Sequence, residues 1–274
     1  MRLTMQTLEN IRAFYQPIQP TTQVKNSEIL YQEILPTEAL QSYIHCFWQL
    51  KSNHKLSYSY NYLVVADGCI DIFFDRRYTC DSTILGFCRR HIEFPIGEDF
   101  DYIGIRFLPA AFPMLFGIDA KTLSNQSHVL NSILPDFSNW IATTLQSTKS
   151  FENILTLLNS RLLERVDTQG SYLDWRFYHA LILIFKEHGF LNTETDLSTN
   201  LSSRQLRRIF NFYIGTTPKE FSNVVRFQYI LNATPSKQTL KNDKLYLDLG
   251  FFDQAHFIKS FKSFYGITPS KAFL

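Results

Sequence analysis

Three things are scarce in this sequence of 274 residues, and each scarcity removes a class of protein. No unbroken stretch of about 18 apolar residues, enough to cross a bilayer as a helix, occurs anywhere. The first residues lack the basic start, apolar run and small-residue cleavage site of a signal peptide. The expectation is a cytoplasmic chain with no membrane partner. Cysteine is sparse: Cys46, Cys69, Cys80 and Cys88 all fall in the first half, separated by 22, 10 and 7 residues. Those gaps contain no Cys-x-x-Cys pair, so no metal site and no cofactor are expected, and a reducing compartment keeps the thiols free. Charged residues are only 19% against 45% hydrophobic, which excludes extensive disorder.

What the chain does have is an aromatic excess, 25 Phe and 14 Tyr, and enough length for two domains of ordinary size, each with its own core. The net charge of +2 hides an asymmetry. From Ser171 onward there are 13 Lys and Arg against 8 Asp and Glu, whereas residues 1–170 hold 14 against 17. A basic segment beside an acidic one suits a polyanion-binding module joined to a different kind of module, although solvated faces reach the same imbalance. A polar break at Asp167–Gly170 sets the expected boundary, giving domains 1–170 and 171–274.

Between about Ile29 and Phe107 short apolar runs of period two, rich in Tyr, Phe, Val and Ile, predict strands. The best candidates are Tyr43–Leu50, Tyr58–Val65, Cys69–Phe74, Thr83–Phe87 and Tyr102–Phe107, with Asp67-Gly68 as a hairpin turn. Such a succession predicts a small antiparallel barrel or sandwich. Helical periods follow at Ala110–Phe116, Ser138–Gln146 and Phe151–Val166. The last has Ile154, Leu158, Leu162 and Val166 on one face and Leu155, Leu157 and Leu163 beyond it. That extra apolar surface suits either an ordinary core helix or one that also meets a second subunit. Tyr172–His188 reads as an apolar helix stopped by Gly189, and the rest of the chain as all-helical. The fold class expected is therefore α+β, a β-rich domain with trailing helices followed by an all-α domain.

The tail repeats itself at a separation of 51 residues. Leu206-Arg207-Arg208-Ile209-Phe210-Asn211-Phe212-Tyr213-Ile214-Gly215-Thr216-Thr217-Pro218 aligns with Phe257-Ile258-Lys259-Ser260-Phe261-Lys262-Ser263-Phe264-Tyr265-Gly266-Ile267-Thr268-Pro269. In each copy Gly ends one helix and Thr-Pro opens the next. Ser202 or Ser203 before the first copy and Asp253 before the second supply capping oxygens. With a preceding helix at Thr193–Thr199 or near Leu240–Leu249, each copy becomes a helix-turn-helix unit, whose second helix enters the DNA major groove.

The run Gly250-Phe251-Phe252-Asp253-Gln254-Ala255-His256-Phe257, continuing through Lys259, Phe261 and Gly266 to Pro269, resembles the C-terminal signature of the AraC/XylS family of transcription regulators. Arg204-Gln205-Leu206-Arg207-Arg208, Pro218-Lys219-Glu220-Phe221 and Arg226-Phe227 are similar to that family's first unit, so the resemblance spans about Tyr172–Phe273. It implies two helix-turn-helix units joined by a helix over Pro218–Leu231, binding promoter DNA, with RNA polymerase contact, a homodimer and a role as activator. Two departures stand out: the first unit is shortened between Leu197 and Ser202, and Tyr246 replaces the family's small alanine. Carried over by position, Arg204, Arg207 and Arg208 face the groove in the first unit, and Gln254, His256, Ile258 and Lys259 in the second. Arg reads guanine and Gln reads adenine through paired hydrogen bonds, each worth about 1–3 kcal/mol of discrimination. Lys219, Arg226 and Lys262 are assigned to phosphate, and Leu206, Phe210, Phe257 and Phe261 to the core.

The first domain resembles the sensor or dimerisation domains of the same regulators through Phe47-Trp48, Asp67-Gly68-Cys69-Ile70-Asp71 and Gly104-Ile105-Arg106-Phe107. If it binds a small-molecule effector, Trp48, Asp71, His91 and Arg106 are the candidate lining, since pockets are mostly apolar with a few placed polar groups. Taken singly, Asp67 reads more readily as a turn residue and Trp48 as core. No catalytic constellation is expected. The alternative is an enzyme or a cysteine methyl-acceptor fused to a DNA-targeting tail.

Overall fold

The structure, a computed structural model, describes residues 9–20, 27–148, 150–169, 173–197, 199–233, 251 and 253–273. Among them, strands β1 (Ile29–Ile34), β2 (Ile44–Ser52), β7 (Asp101–Phe107), β4 (Ile70–Asp75), β5 (Tyr78–Leu85) and β8 (Ser127–Val129) make an antiparallel sheet in the order β1-β2-β7-β4-β5-β8. β3 (Tyr60–Val64) and β6 (Ile92–Gly97) make a second, two-stranded sheet across one face of the first. The result is an open sandwich. Of the two outcomes expected, the barrel does not form.

Period-two alternation assigns the faces of the large sheet. Ile72 and Phe74 of β4, and Ile103, Ile105 and Phe107 of β7, point to the helices, while Trp48, Leu50 and Phe73 point to β3 and β6. β2 breaks phase once. Ile44 pairs with Phe107 and Cys46 with Arg106, so His45 is an extra residue, a β-bulge. The bulge lets Ile44 join the helical side while Cys46, two positions on, joins the inter-sheet side.

The predicted hairpin at Asp67-Gly68 is not one. β3 pairs with β6 and β4 with β5 and β7, so this segment crosses between sheets. Gly68 takes φ +74° there, and the Asp67 carboxylate accepts the Cys69 N–H at 2.9 Å. β6 eluded the strand pattern because it contains Pro95, which a two-stranded sheet tolerates on its open edge.

Helices α1 (Glu9–Phe14), α2 (Ala111–Phe116), α3 (Pro135–Trp140, continued by a π-helical turn to Leu145), α4 (Phe151–Gln169) and α5 (Trp175–Lys186) cover the other face. Ile154, Leu158, Leu162 and Val166 of α4 are buried, and Leu155, Leu157 and Leu163 pack half-buried against the same core. Beyond α5 come α6 (Ser203–Ile214), α7 (Pro218–Asn232), α8 (Gln254–Tyr265) and α9 (Pro269–Ala272). One apolar cluster runs from Ile72 and Ile105 in the sheet through Leu158 to Phe177, Phe210 and Phe221. The expected pair of separately cored domains thus shares a core across residue 170. No helix among the described residues is long and apolar enough to cross a membrane.

Candidate nucleic-acid interface and a buried arginine cluster

Local chemistry builds α6. The Ser202 hydroxyl accepts the Gln205 N–H and the Gln205 side chain accepts the Ser202 N–H, a reciprocal capping box, and Gly215 closes α6 at φ +94°. Leu206, Phe210 and Ile214 recur every four residues and are buried. Arg204, Arg207 and Arg208 lie on the opposite, exposed face. Arg207 makes one weak surface contact, to Glu194 at 3.5 Å. A second capping box, between Thr217 and Glu220 with Pro218 at the first helical position, starts α7 and leaves Lys219 exposed.

α8 has the same construction. Asp253 caps it by accepting the His256 N–H at 2.7 Å; Phe257, Phe261 and Tyr265 are buried. Gln254, His256, Ile258, Lys259 and Lys262 are exposed, with the His256 ring set edge-on to Phe251 at 5.5 Å. Lys219 and His256 share the wall of an open cleft of about 620 Å³ between α7 and α8. The second unit's expected first helix near Leu240–Leu249, and Tyr246 within it, lie outside the described residues.

Two expectations need correction. Residues 193–197 form no helix: Asn192–Asp196 closes as a single turn. The Asp196 carboxylate accepts the Asn192 N–H at 2.7 Å, and the Asn192 side chain accepts that of Glu194 at 3.0 Å. These are cap-type bonds to N–H groups that a helix beginning here would leave unused, and the helical bonding ends after this one turn. Arg226, assigned to phosphate, is half-buried and donates from Nε and Nη2 to the Gly189 carbonyl at 3.2 and 2.7 Å, between the rings of Phe190 and Phe251. Burial lowers its pKa, and these bonds tie α7 to the end of α5 while the side chain also lines the cleft shared by Lys219 and His256. Gly189 is needed at that crossing, because a Cβ there would meet the Ser222 carbonyl at 2.2 Å.

Of the four effector candidates, three come together. Trp48 Nε1 donates to Asp71 at 3.1 Å, and fully buried Arg106 bonds Asp71 at 3.1 Å, Glu33 at 3.2 Å and Asp67 at 3.4 Å. Burial pushes the Asp71 carboxyl up to about 6 against the pull of Arg106, with the like charge of Asp67 adding to it. Trp48, Tyr62, Phe73, Phe94 and Tyr102 surround this carboxylate between the sheets. His91 is elsewhere: its N–H and ring Nδ1 face the Ser263 carbonyl of α8 at 3.1 and 3.0 Å, with the ring against Gly266. Asp67 and Glu33, which complete the cluster, were missed, since a hairpin reading hid the first and the second sits on an unassigned edge strand.

The first domain also holds α7 and α8. Ala66 N–H donates to the Phe264 carbonyl at 3.2 Å, Gln228 bonds both Ala66 and Ile18, and Arg89 pairs with Glu220 at 3.3 Å. Cys46, Cys69 and Cys88 are buried and their thiols are pushed up by that burial, so without a cation to bind it none is a ready thiolate.

Residues 198–273 match a family described as a helix-turn-helix domain, and residues 32–129 one described as a domain of unknown function, DUF6597. No curated relative matches the chain. Among solved structures, ToxT from Vibrio cholerae O395 is 12% identical with a TM-score of 0.39, over 90% of this chain and 98% of that one. ToxT bound to (E)-4-(8-methylnaphthalen-1-yl)but-3-enoic acid is 13% identical with a TM-score of 0.39, over 89% and 97%.

Proposed function

We propose, from the AraC-type helix-turn-helix domain that occupies residues 198–273, that this chain is a DNA-binding transcription regulator reading a specific promoter sequence through both α6 and α8. The observation that carries the reading is the pair of capped helices, each with a buried aromatic stripe and an exposed polar face. Arg204, Arg207 and Arg208 on α6 and Gln254, His256, Ile258 and Lys259 on α8 contact bases. Lys219 and Lys262 contact phosphate, and the turn at Asn192–Asp196 replaces the first unit's leading helix. The effector site is the buried cluster of Trp48, Asp71 and Arg106, without His91; the cavity beside Trp48 and Asp71 holds only about 20 Å³, so a ligand there has to part the two sheets. The chain acts as a homodimer that contacts RNA polymerase, its mass in solution being read by light scattering.

Footprinting on the DNA upstream of its own gene tests the reading. Arg208→Ala and Lys259→Ala should each weaken the specific site by about 1–3 kcal/mol and leave random DNA almost unchanged. Lys262→Ala should weaken all DNA alike and reduce the salt slope by about 1. A footprint indifferent to Arg208→Ala and Lys259→Ala would remove α6 and α8 as readers.

A further inference from the structure

We infer that Glu33, His45 and Cys46 form a binding site for a zinc-class divalent cation at the open edge of the sandwich. One oxygen, one ring nitrogen and one sulfur from these residues lie within 4.8 Å of one another. The β-bulge brings the set together. On a regular strand His45 and Cys46 would face opposite sides, whereas the extra residue turns both toward Glu33 on the neighbouring strand β1. A tetrahedral zinc centre holds such donors about 3.3–3.8 Å apart, given Zn–N and Zn–S bonds of about 2.0 and 2.3 Å, so modest side-chain rotation closes the set.

An independent observation marks the place. His45 is 9% exposed, and its Nδ1 is buried with no hydrogen-bond partner among the described residues, a costly state that a ligand would relieve. Its surroundings are already braced. Arg12 on α1 donates to the carbonyls of Gln41, Ile44 and His45, pinning the bulge. The Tyr31 hydroxyl and Arg106 both bond Oε1 of Glu33, orienting the carboxylate, whose other oxygen remains for the metal.

Charge permits a dication there. Arg106 faces three carboxylates, Glu33, Asp67 and Asp71, while Arg12 donates only to backbone carbonyls beside His45, and the two cations against three anions leave one negative charge in excess. On binding, the Cys46 thiol gives its proton to solvent and the thiolate bonds the metal, so one proton leaves per cation and the buried cluster approaches neutrality. Glu33 is the exposed member and provides the entrance, with a water completing four-coordination. An N, O, S donor set favours zinc over calcium or magnesium.

Cobalt titration of the reduced, chelator-stripped full chain tests the site. The expected result is a thiolate-to-cobalt charge-transfer band that saturates at one equivalent and is displaced by Zn²⁺. It should be lost in Cys46→Ser, retained in Cys80→Ser, and weakened about 10-fold or more in Glu33→Gln. Glu33→Gln keeps the size of the side chain and an oxygen that still accepts from Tyr31 and Arg106, so with its folding checked by circular dichroism it decides the matter even if Cys46→Ser does not fold. Zn²⁺ should also raise the melting temperature of the unmodified chain more than that of Glu33→Gln. No band in the unmodified chain, or a band of equal affinity in Glu33→Gln, would overturn the assignment.

Discussion

Replacing Arg106 with methionine keeps most of the side-chain volume and removes the one cation that reaches Asp67, Asp71 and Glu33 together. Arg106 is 0% exposed, and the side chains of Asp67 and Asp71 are each only 10% exposed, so water cannot replace it. Unit charges about 4 Å apart attract by about 4 kcal/mol at an effective dielectric near 20, and part of that is offset by desolvation. The expected net loss is about 3–5 kcal/mol, the usual result of stranding a buried charge. Asp71 adds a pH signature. Its carboxyl stands at about 6 in the folded chain, above the unfolded value, so its contribution to stability is full below the unfolded pKa and is lost as pH rises through about 6. Without Arg106 the folded value climbs further. The deficit of Arg106→Met should therefore be smallest near pH ~5 and largest near pH ~8. Urea unfolding followed by circular dichroism at both pH values measures this. The double variant Arg106→Met with Asp71→Asn should recover about 2 kcal/mol at the higher pH, because asparagine removes the stranded charge and still accepts from Trp48. If the double variant is no more stable than Arg106→Met alone, and pH makes no difference, the electrostatic account is wrong.

Three further perturbations test other joints. Gly104→Ala would place a Cβ 2.0 Å from Trp48 Cε2, so it should cost about 1–3 kcal/mol and shift tryptophan emission, and in a Trp48→Ala background the same substitution should cost almost nothing further. Arg226→Met should destabilise the fold by about 1–2 kcal/mol while leaving the salt slope of DNA binding intact; a reduced slope would return Arg226 to phosphate. Ser202→Ala removes the α6 capping box and should cost about 1 kcal/mol in thermal unfolding, with Ser202→Asp near neutral.

What was legible came from short-range chemistry. α6 and α8 were readable because caps, glycine stops and a buried residue every fourth position all lie within one helix. Leu206, Phe210, Phe257 and Phe261 are accordingly in the core, as expected. The helix expected at Thr193–Thr199 is only the single turn that the Asn192 side chain caps. β6 was hidden by Pro95, and β1 and β8 by their positions at the sheet edges.

The sequence by itself determined which faces are apolar, where reading helices begin and end, and which residues those helices leave exposed, because each depends on neighbours a few positions away. Only tertiary structure decided what the long polar side chains do. Arg226 is spent on Gly189, 37 positions off, and Arg106 gathers carboxylates from β1, β4 and the crossing at Asp67. His91 left the expected pocket for α8, while the bulge at His45 set Cys46 beside Glu33. A buried charge or an unpaired ring nitrogen is answered by whichever strand folding brings alongside, and no local pattern records that choice.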